Sequence, residues 1–125
     1  MKKIILIFCL AFVLNFIWEN VHSLLYASYK NGAITEFILL RATLGDAVIL
    51  TLFSLPFIYL SYFKGKKWLI IPVGIVIAIL IELYALQTER WAYDNAMPII
   101  PLLNVGLTPI LQLGFLGYLV YAILI

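Results

Sequence analysis

Four apolar stretches, separated by short polar turns, leave this chain few folds to choose from. They run roughly from Ile4 to Leu25, Thr35 to Phe63, Trp68 to Gln87 and Leu102 to Ile125. A helix rises about 1.5 Å per residue, so about 20 apolar residues cross the hydrocarbon core of a bilayer. Composition points the same way. Of 125 residues, 66% are hydrophobic and only 11% are charged, roughly half the charged share of a soluble domain. A water-facing globule of this size would lack the polar surface to cover itself. The expectation is an all-α integral membrane protein, a single four-helix transmembrane domain over residues 1–125, with no room for a soluble domain.

The breaks between stretches carry turn chemistry. The segment Tyr26 to Gly32 ends the first helix, and Lys64 to Lys67 forms a tight turn after the second. Thr88 to Pro101 makes the longest loop. Pro56 falls inside the second helix, where a kink is expected, Pro72 falls early in the third, and Pro109 falls inside the fourth. Lys2 and Lys3 before an apolar run look like the start of a signal peptide, but no small-residue cleavage site follows. Ile7 and Phe8 before Cys9 do not suit a lipoprotein signal either, so the first helix is expected to be retained. Cys9 is the one cysteine, which excludes an intrachain disulfide and a thiolate metal cluster.

Charge sets the orientation. With four helices, both termini and the Lys64 to Lys67 turn share one side, and both lysine clusters fall there. The other loops mix signs: Lys30 with Glu36, and Glu89, Arg90 and Asp94. The positive-inside rule then places both termini in the cytoplasm, in a prokaryotic plasma membrane. A net charge of +2, divided between two small clusters, gives no basis for nucleic-acid binding.

The polar residues within the apolar stretches converge in depth. The first helix carries Asn15, Glu19 and His22, spaced by four and three and so on one face. The second carries Arg41, Thr43 and Asp46, the third Glu82, and the fourth Asn104, Thr108 and Gln112, again in one stripe. At helical rise all lie in the outer half of the membrane, whereas the inner half is nearly pure hydrocarbon. An ionisable side chain in hydrocarbon costs about 2.5–3.5 kcal/mol, so Glu19, Asp46 and Glu82 should face one another across a polar pocket. These three acids and His22 are the candidate catalytic groups. Asn15, Trp18, Arg41, Arg90, Trp91, Tyr93, Asn104, Thr108 and Gln112 are candidate ligand-binding groups, with Arg41 expected to neutralise Asp46 or another acid. The uncharged ones fit equally well as interhelical hydrogen bonds of about 0.6 kcal/mol each. An aromatic belt accounts for Trp18, Trp91, Tyr26, Tyr29 and Tyr93 without function.

One stretch carries a resemblance. Glu82 is followed nine residues later by Trp91-Ala-Tyr93, then by Gly106-Leu107-Thr108-Pro109, Gln112 and Phe115. This run resembles the membrane lycopene cyclase domain of carotenoid biosynthesis, in which an acid near a helix end precedes Trp-x-aromatic and a proline precedes a Glu pair. The Glu pair is missing, since Ile110 and Leu111 follow Pro109. The resemblance covers about a quarter of the chain and implies a shared fold and a lipophilic ligand more strongly than the same reaction.

Three functions follow as expectations. The first is a membrane enzyme performing acid-catalysed cyclisation or isomerisation on an isoprenoid or other lipophilic ligand. It would need no soluble cofactor, because no phosphate loop, metal-ligand cluster or Ser-His pairing is present. The second is a small oligomeric transporter or channel coupled to protons or cations. The third is a lipid-binding or scaffold subunit without chemistry. Gly114 and Gly117, on a face away from Asn104, Thr108 and Gln112, suggest close helix approach in a homodimer or other small oligomer.

Overall fold

A computed structural model describes residues 2–29, 34–88, 91–101 and 104–125. Four helices dominate: α1 (Lys2–His22), α2 (Glu36–Tyr59), α3 (Ile70–Gln87) and α4 (Leu107–Leu124). Single 3-10 turns extend α1 through Leu25 and lead into α3 from Lys67, so the four candidate spans are 24, 24, 21 and 18 residues long. All four are long and apolar enough to cross a membrane. Large apolar side chains point outward along every helix: Leu24 is 78% exposed, Val21 66%, Phe37 67% and Ile123 66%. In water that surface would drive aggregation.

Strands are the first departure from an all-helical expectation. Tyr26–Tyr29 (β1) pairs antiparallel with Trp91–Tyr93 (β2), with Tyr26 opposite Tyr93 and Tyr29 opposite Trp91. Ile99–Ile100 (β3) pairs with Val105–Gly106 (β4) in a tight hairpin. The β1–β2 pair ties the α1–α2 connection to the α3–α4 connection, which places both at one end of the bundle, opposite the Lys64 to Lys67 turn. Edge pairing satisfies backbone groups that a bare loop at that level would leave open.

The second departure is the start of α4, expected near residue 102. Gly106 caps the helix in extended conformation (φ −68, ψ 142) and Pro109 falls in its first turn. Proline is tolerated there because the first helical N–H groups have no intrahelical acceptor. Asn104 therefore lies before the helix, exposed, in the left-handed region at φ 56.

Two helix pairs build the bundle, α1 with α2 and α3 with α4, and α1 packs on α4 to join them. The α3–α4 pair closes over glycine. A Cβ on Gly74 would come within 2.5 Å of the Gly114 nitrogen, and one on Gly114 within 2.8 Å of the Ile71 carbonyl oxygen. A Cβ on Gly117 would meet Leu50 and Ile70 at 2.8 and 2.9 Å. Both glycines expected to serve an oligomer are thus consumed inside the bundle. Around them lies the apolar core: Ile7, Ala11, Ala47, Leu50, Ile70, Val120 and Tyr121, with Phe57 against the Tyr121 ring. The Tyr121 hydroxyl donates to the Leu50 carbonyl.

Candidate functional site

Above that core, toward the strand end, the buried side chains change character. Asn15, Glu19 and His22 follow one face of α1 at helical spacing, as their sequence positions require. All three are buried, Asn15 fully and Glu19 to 9% exposure. Gln112 of α4 reaches across to them. Its Nε2 lies 2.9 Å from Asn15 Oδ1, 3.0 Å from Glu19 Oε1 and 2.8 Å from Asp46 Oδ2 of α2. An amide nitrogen has two protons, so three acceptors compete for two donors. One oxygen always remains for another donor, either a proton of its own or a hydroxyl brought by a ligand.

His22 extends the network. Its Nε2 lies 3.1 Å from Glu19 Oε2, and its Nδ1 lies 3.2 Å from Thr108 Oγ1. Thr108 Oγ1 also lies 3.4 Å from Met97 Sδ. Among the described residues no lysine or arginine comes within ion-pair distance of the acids; His22 with Glu19 is the pair formed.

Glu82 of α3, 2% exposed, is held separately. Tyr26 donates to Oε1 at 2.6 Å and Trp91 Nε1 donates to Oε2 at 2.7 Å. Both donors come from the β1–β2 pair, which acts as a clamp over the end of α3. Their rings meet edge-on with centroids 6.0 Å apart, and His22 sits edge-on to Tyr26 at 5.3 Å. Burial, and then the Glu82 carboxyl, raise the Tyr26 hydroxyl well above the usual tyrosine range. Burial likewise raises Tyr93, whose hydroxyl oxygen accepts from the Gly106 N–H at 3.0 Å and anchors the start of α4.

A cavity of about 270 Å³ lies between these groups. Glu19, His22, Asp46, Glu82, Gln112, Tyr26 and Trp91 line one part; Ile38, Leu39, Ala78, Ile81 and Leu113 line the rest, with Arg41 on the wall as well. Three acids from three helices therefore share one space with apolar walls. A second, almost wholly apolar groove of about 480 Å³ runs outside α1 and α4, along Leu14, Ile17, Trp18, Val21, Thr108 and Leu116. His22 borders both.

The remaining expected residues fall elsewhere. Asn15 donates to its own helix at Ala11 and serves Gln112 from behind the cavity. Trp18 and Thr108 face the second groove, and Trp18 Nε1 is buried without a partner. Thr43 bonds back to Leu39. Arg41 makes no ion pair with Asp46; Gln112 occupies the near oxygen of that acid instead. Asn104 is removed from the site altogether, because α4 begins after it. Arg90 lies outside the described residues.

Tyr26 was readable as interfacial aromatic and is instead a direct partner of Glu82. A signal existed, since Tyr26 continues the Asn15, Glu19, His22 stripe by four residues. Met97 carried none, because only the strand hairpin brings it under Thr108. Among the described residues no three His, Cys, Asp or Glu side chains are grouped to hold a metal ion.

The fold and site define a small helical bundle of membrane-crossing length with an acid-lined cavity at one end. No family model, curated protein or solved structure matches the chain.

Proposed function

We propose that this is an integral membrane enzyme of the prokaryotic plasma membrane that binds a lipophilic unsaturated ligand and rearranges a double bond by proton transfer. The observation that carries the reading is the convergence of Glu19, Asp46 and Glu82 on one apolar-walled cavity, with no lysine or arginine paired to them among the described residues. An acid-catalysed isomerisation needs one group to add a proton to an alkene carbon and another to remove a proton from a neighbouring carbon. Cyclisation differs in one step, the attack of a second double bond on the cation before the proton leaves. Neither route changes oxidation state, so neither requires a redox partner.

The hydrogen-bonded Glu19–His22 pair suits the donor. Glu82 has both oxygens accepting hydrogen bonds and suits the acceptor. The faces of Tyr26 and Trp91 would stabilise the cation between the two. The resemblance to the lycopene cyclase domain supports the same reading, because its acid and its Trp-x-aromatic element, Glu82 and Trp91, are hydrogen-bonded here. The lysine clusters orient both termini toward the cytoplasm, which puts the cavity in the outer leaflet. A proton-coupled path is less well supported, since the tightly packed core from Ile7 to Tyr121 lies below the cavity.

Deuterium incorporation tests the proposal. The protein, reconstituted with lipid extract from its host in D2O, should label one lipophilic component next to a shifted double bond. Glu82→Gln keeps size and should lower labelling by at least about 100-fold. Labelling that Glu82→Gln leaves intact, or no labelled component with the folded wild type, would refute the reading.

A further inference from the structure

The cavity has a side entrance and one charged residue beside it. α1 packs closely on α2 and on α4, and α3 on α4, whereas α2 and α3 meet at most sparsely. The α2–α3 seam is therefore loosely joined, and the cavity takes its walls from both sides of it: Ile38 and Ala42 on α2, Ala78 and Ile81 on α3. Ala42 and Ile81 are exposed. A ligand can pass from the surrounding lipid to the acids between these two helices without crossing the strand clamp.

Arg41 lines the same cavity from α2, is itself exposed, and has no hydrogen-bond or ion-pair partner among the described residues. An exposed guanidinium in the second turn of a membrane-length helix is met either by the polar headgroup layer or by an anion brought to it. Its planar fork of five N–H donors matches phosphate and carboxylate oxygens. None of the acids inside forms an ion pair with Arg41; Asp46 is bonded to Gln112, and Glu82 to Tyr26 and Trp91.

We propose that the substrate is an anionic amphiphile whose phosphate or carboxylate head sits on Arg41 at the α2–α3 opening while its unsaturated chain reaches the acids. This rests on the lipophilic-ligand reading above and narrows it. Asp46 follows Arg41 by five residues, about 7.5 Å along the helix axis. One cavity thus holds the charged head at Arg41 and the chain beside the Glu19–His22 pair and Glu82.

Binding, measured apart from turnover, separates this inference from the reading it rests on. The full chain in phosphatidylcholine nanodiscs is titrated with farnesyl phosphate, with farnesol and with inorganic phosphate, and thermal stabilisation is followed. Wild type should bind farnesyl phosphate at least about tenfold tighter than farnesol, the gain of a charge-assisted hydrogen bond. Arg41→Gln should erase that preference and leave farnesol affinity unchanged, and Arg41→Lys should retain part of it. Equal affinity of wild type for both prenyl probes would overturn the Arg41 assignment while leaving a lipophilic site in place. Competition by inorganic phosphate alone at similar concentration would mark a free-anion site and overturn it too. Failure of both prenyl probes to bind would sink the inference and the lipophilic reading together.

Discussion

The two ends of the bundle satisfy their polar groups differently: among the described residues one side-chain bond, from the Tyr121 hydroxyl to the Leu50 carbonyl, joins helices toward the lysine turn, and several join elements toward the strands. Toward the lysine turn, Thr51 bonds to the Ala47 carbonyl and Ser54 to the Thr51 carbonyl, each within its own helix. Such bonds cost little and hold nothing together, because the helix supplies both partners. Toward the strands, Gln112 bonds to α1 and α2, His22 to α4, and Tyr26 and Trp91 to α3. Every one of those contacts spans separate elements. The lysine end is stabilised by shape, through Gly74, Gly114 and Gly117 and the rings of Phe57 and Tyr121. The strand end is stabilised by hydrogen bonds around groups that neutral residues could replace more cheaply. The acids in such surroundings are what the proposed chemistry at that end rests on.

Substitutions can break or sharpen this contrast. The largest effect is expected from Gln112→Leu, which removes the one donor shared by Asn15, Glu19 and Asp46. Leaving buried acceptors unsatisfied costs about 1–3 kcal/mol for each group, so the variant should lose about 3 kcal/mol in denaturant unfolding in detergent. A loss under about 0.5 kcal/mol would mean that the cross-helix network does not hold the strand end together.

Tyr26→Phe is expected to have a smaller effect, about 1.5 kcal/mol, the loss of one hydrogen bond to an acidic group. It also carries a pH signature. Tyr26 holds its proton more tightly folded than unfolded, and an unfolded tyrosine releases it near pH 10. Stability is therefore level below about pH 10 and falls as pH rises beyond it, because the unfolded state then binds fewer protons. Tyr26→Phe should make that alkaline decline shallower, as read by melting temperature between pH 8 and 11. An unchanged slope would separate Tyr26 from Glu82.

Ser54→Ala should change almost nothing, within about 0.5 kcal/mol, since its hydroxyl serves only its own helix. A loss comparable to that of Gln112→Leu would erase the distinction between the two ends.

Much of this was legible in the residues themselves. Four apolar stretches determined four helices, because a backbone in or beside hydrocarbon must satisfy its own hydrogen bonds and a helix does so locally. The α1 stripe of Asn15, Glu19 and His22 was equally legible, since helical periodicity alone puts residues four and three apart on one face. That Glu19, Asp46 and Glu82 would lie at a common depth followed from rise per residue. Which groups would touch did not follow, because depth along separate helices says nothing about rotation around each one. Only the packing of the helices aimed Gln112 at two acids and left Arg41 without an ion-pair partner among the described residues. The same limit applies to Tyr26 and Trp91. Their strands join two loops by setting Tyr26 opposite Tyr93, 67 residues on, a long-range contact that no local pattern encodes. Asn104 shows the converse: its spacing matched the α4 stripe, but the β3–β4 hairpin claimed it first. Local hydrogen bonding and hydropathy write the helices into the chain; the site exists only once rotation, seam and strand pairing have been chosen together.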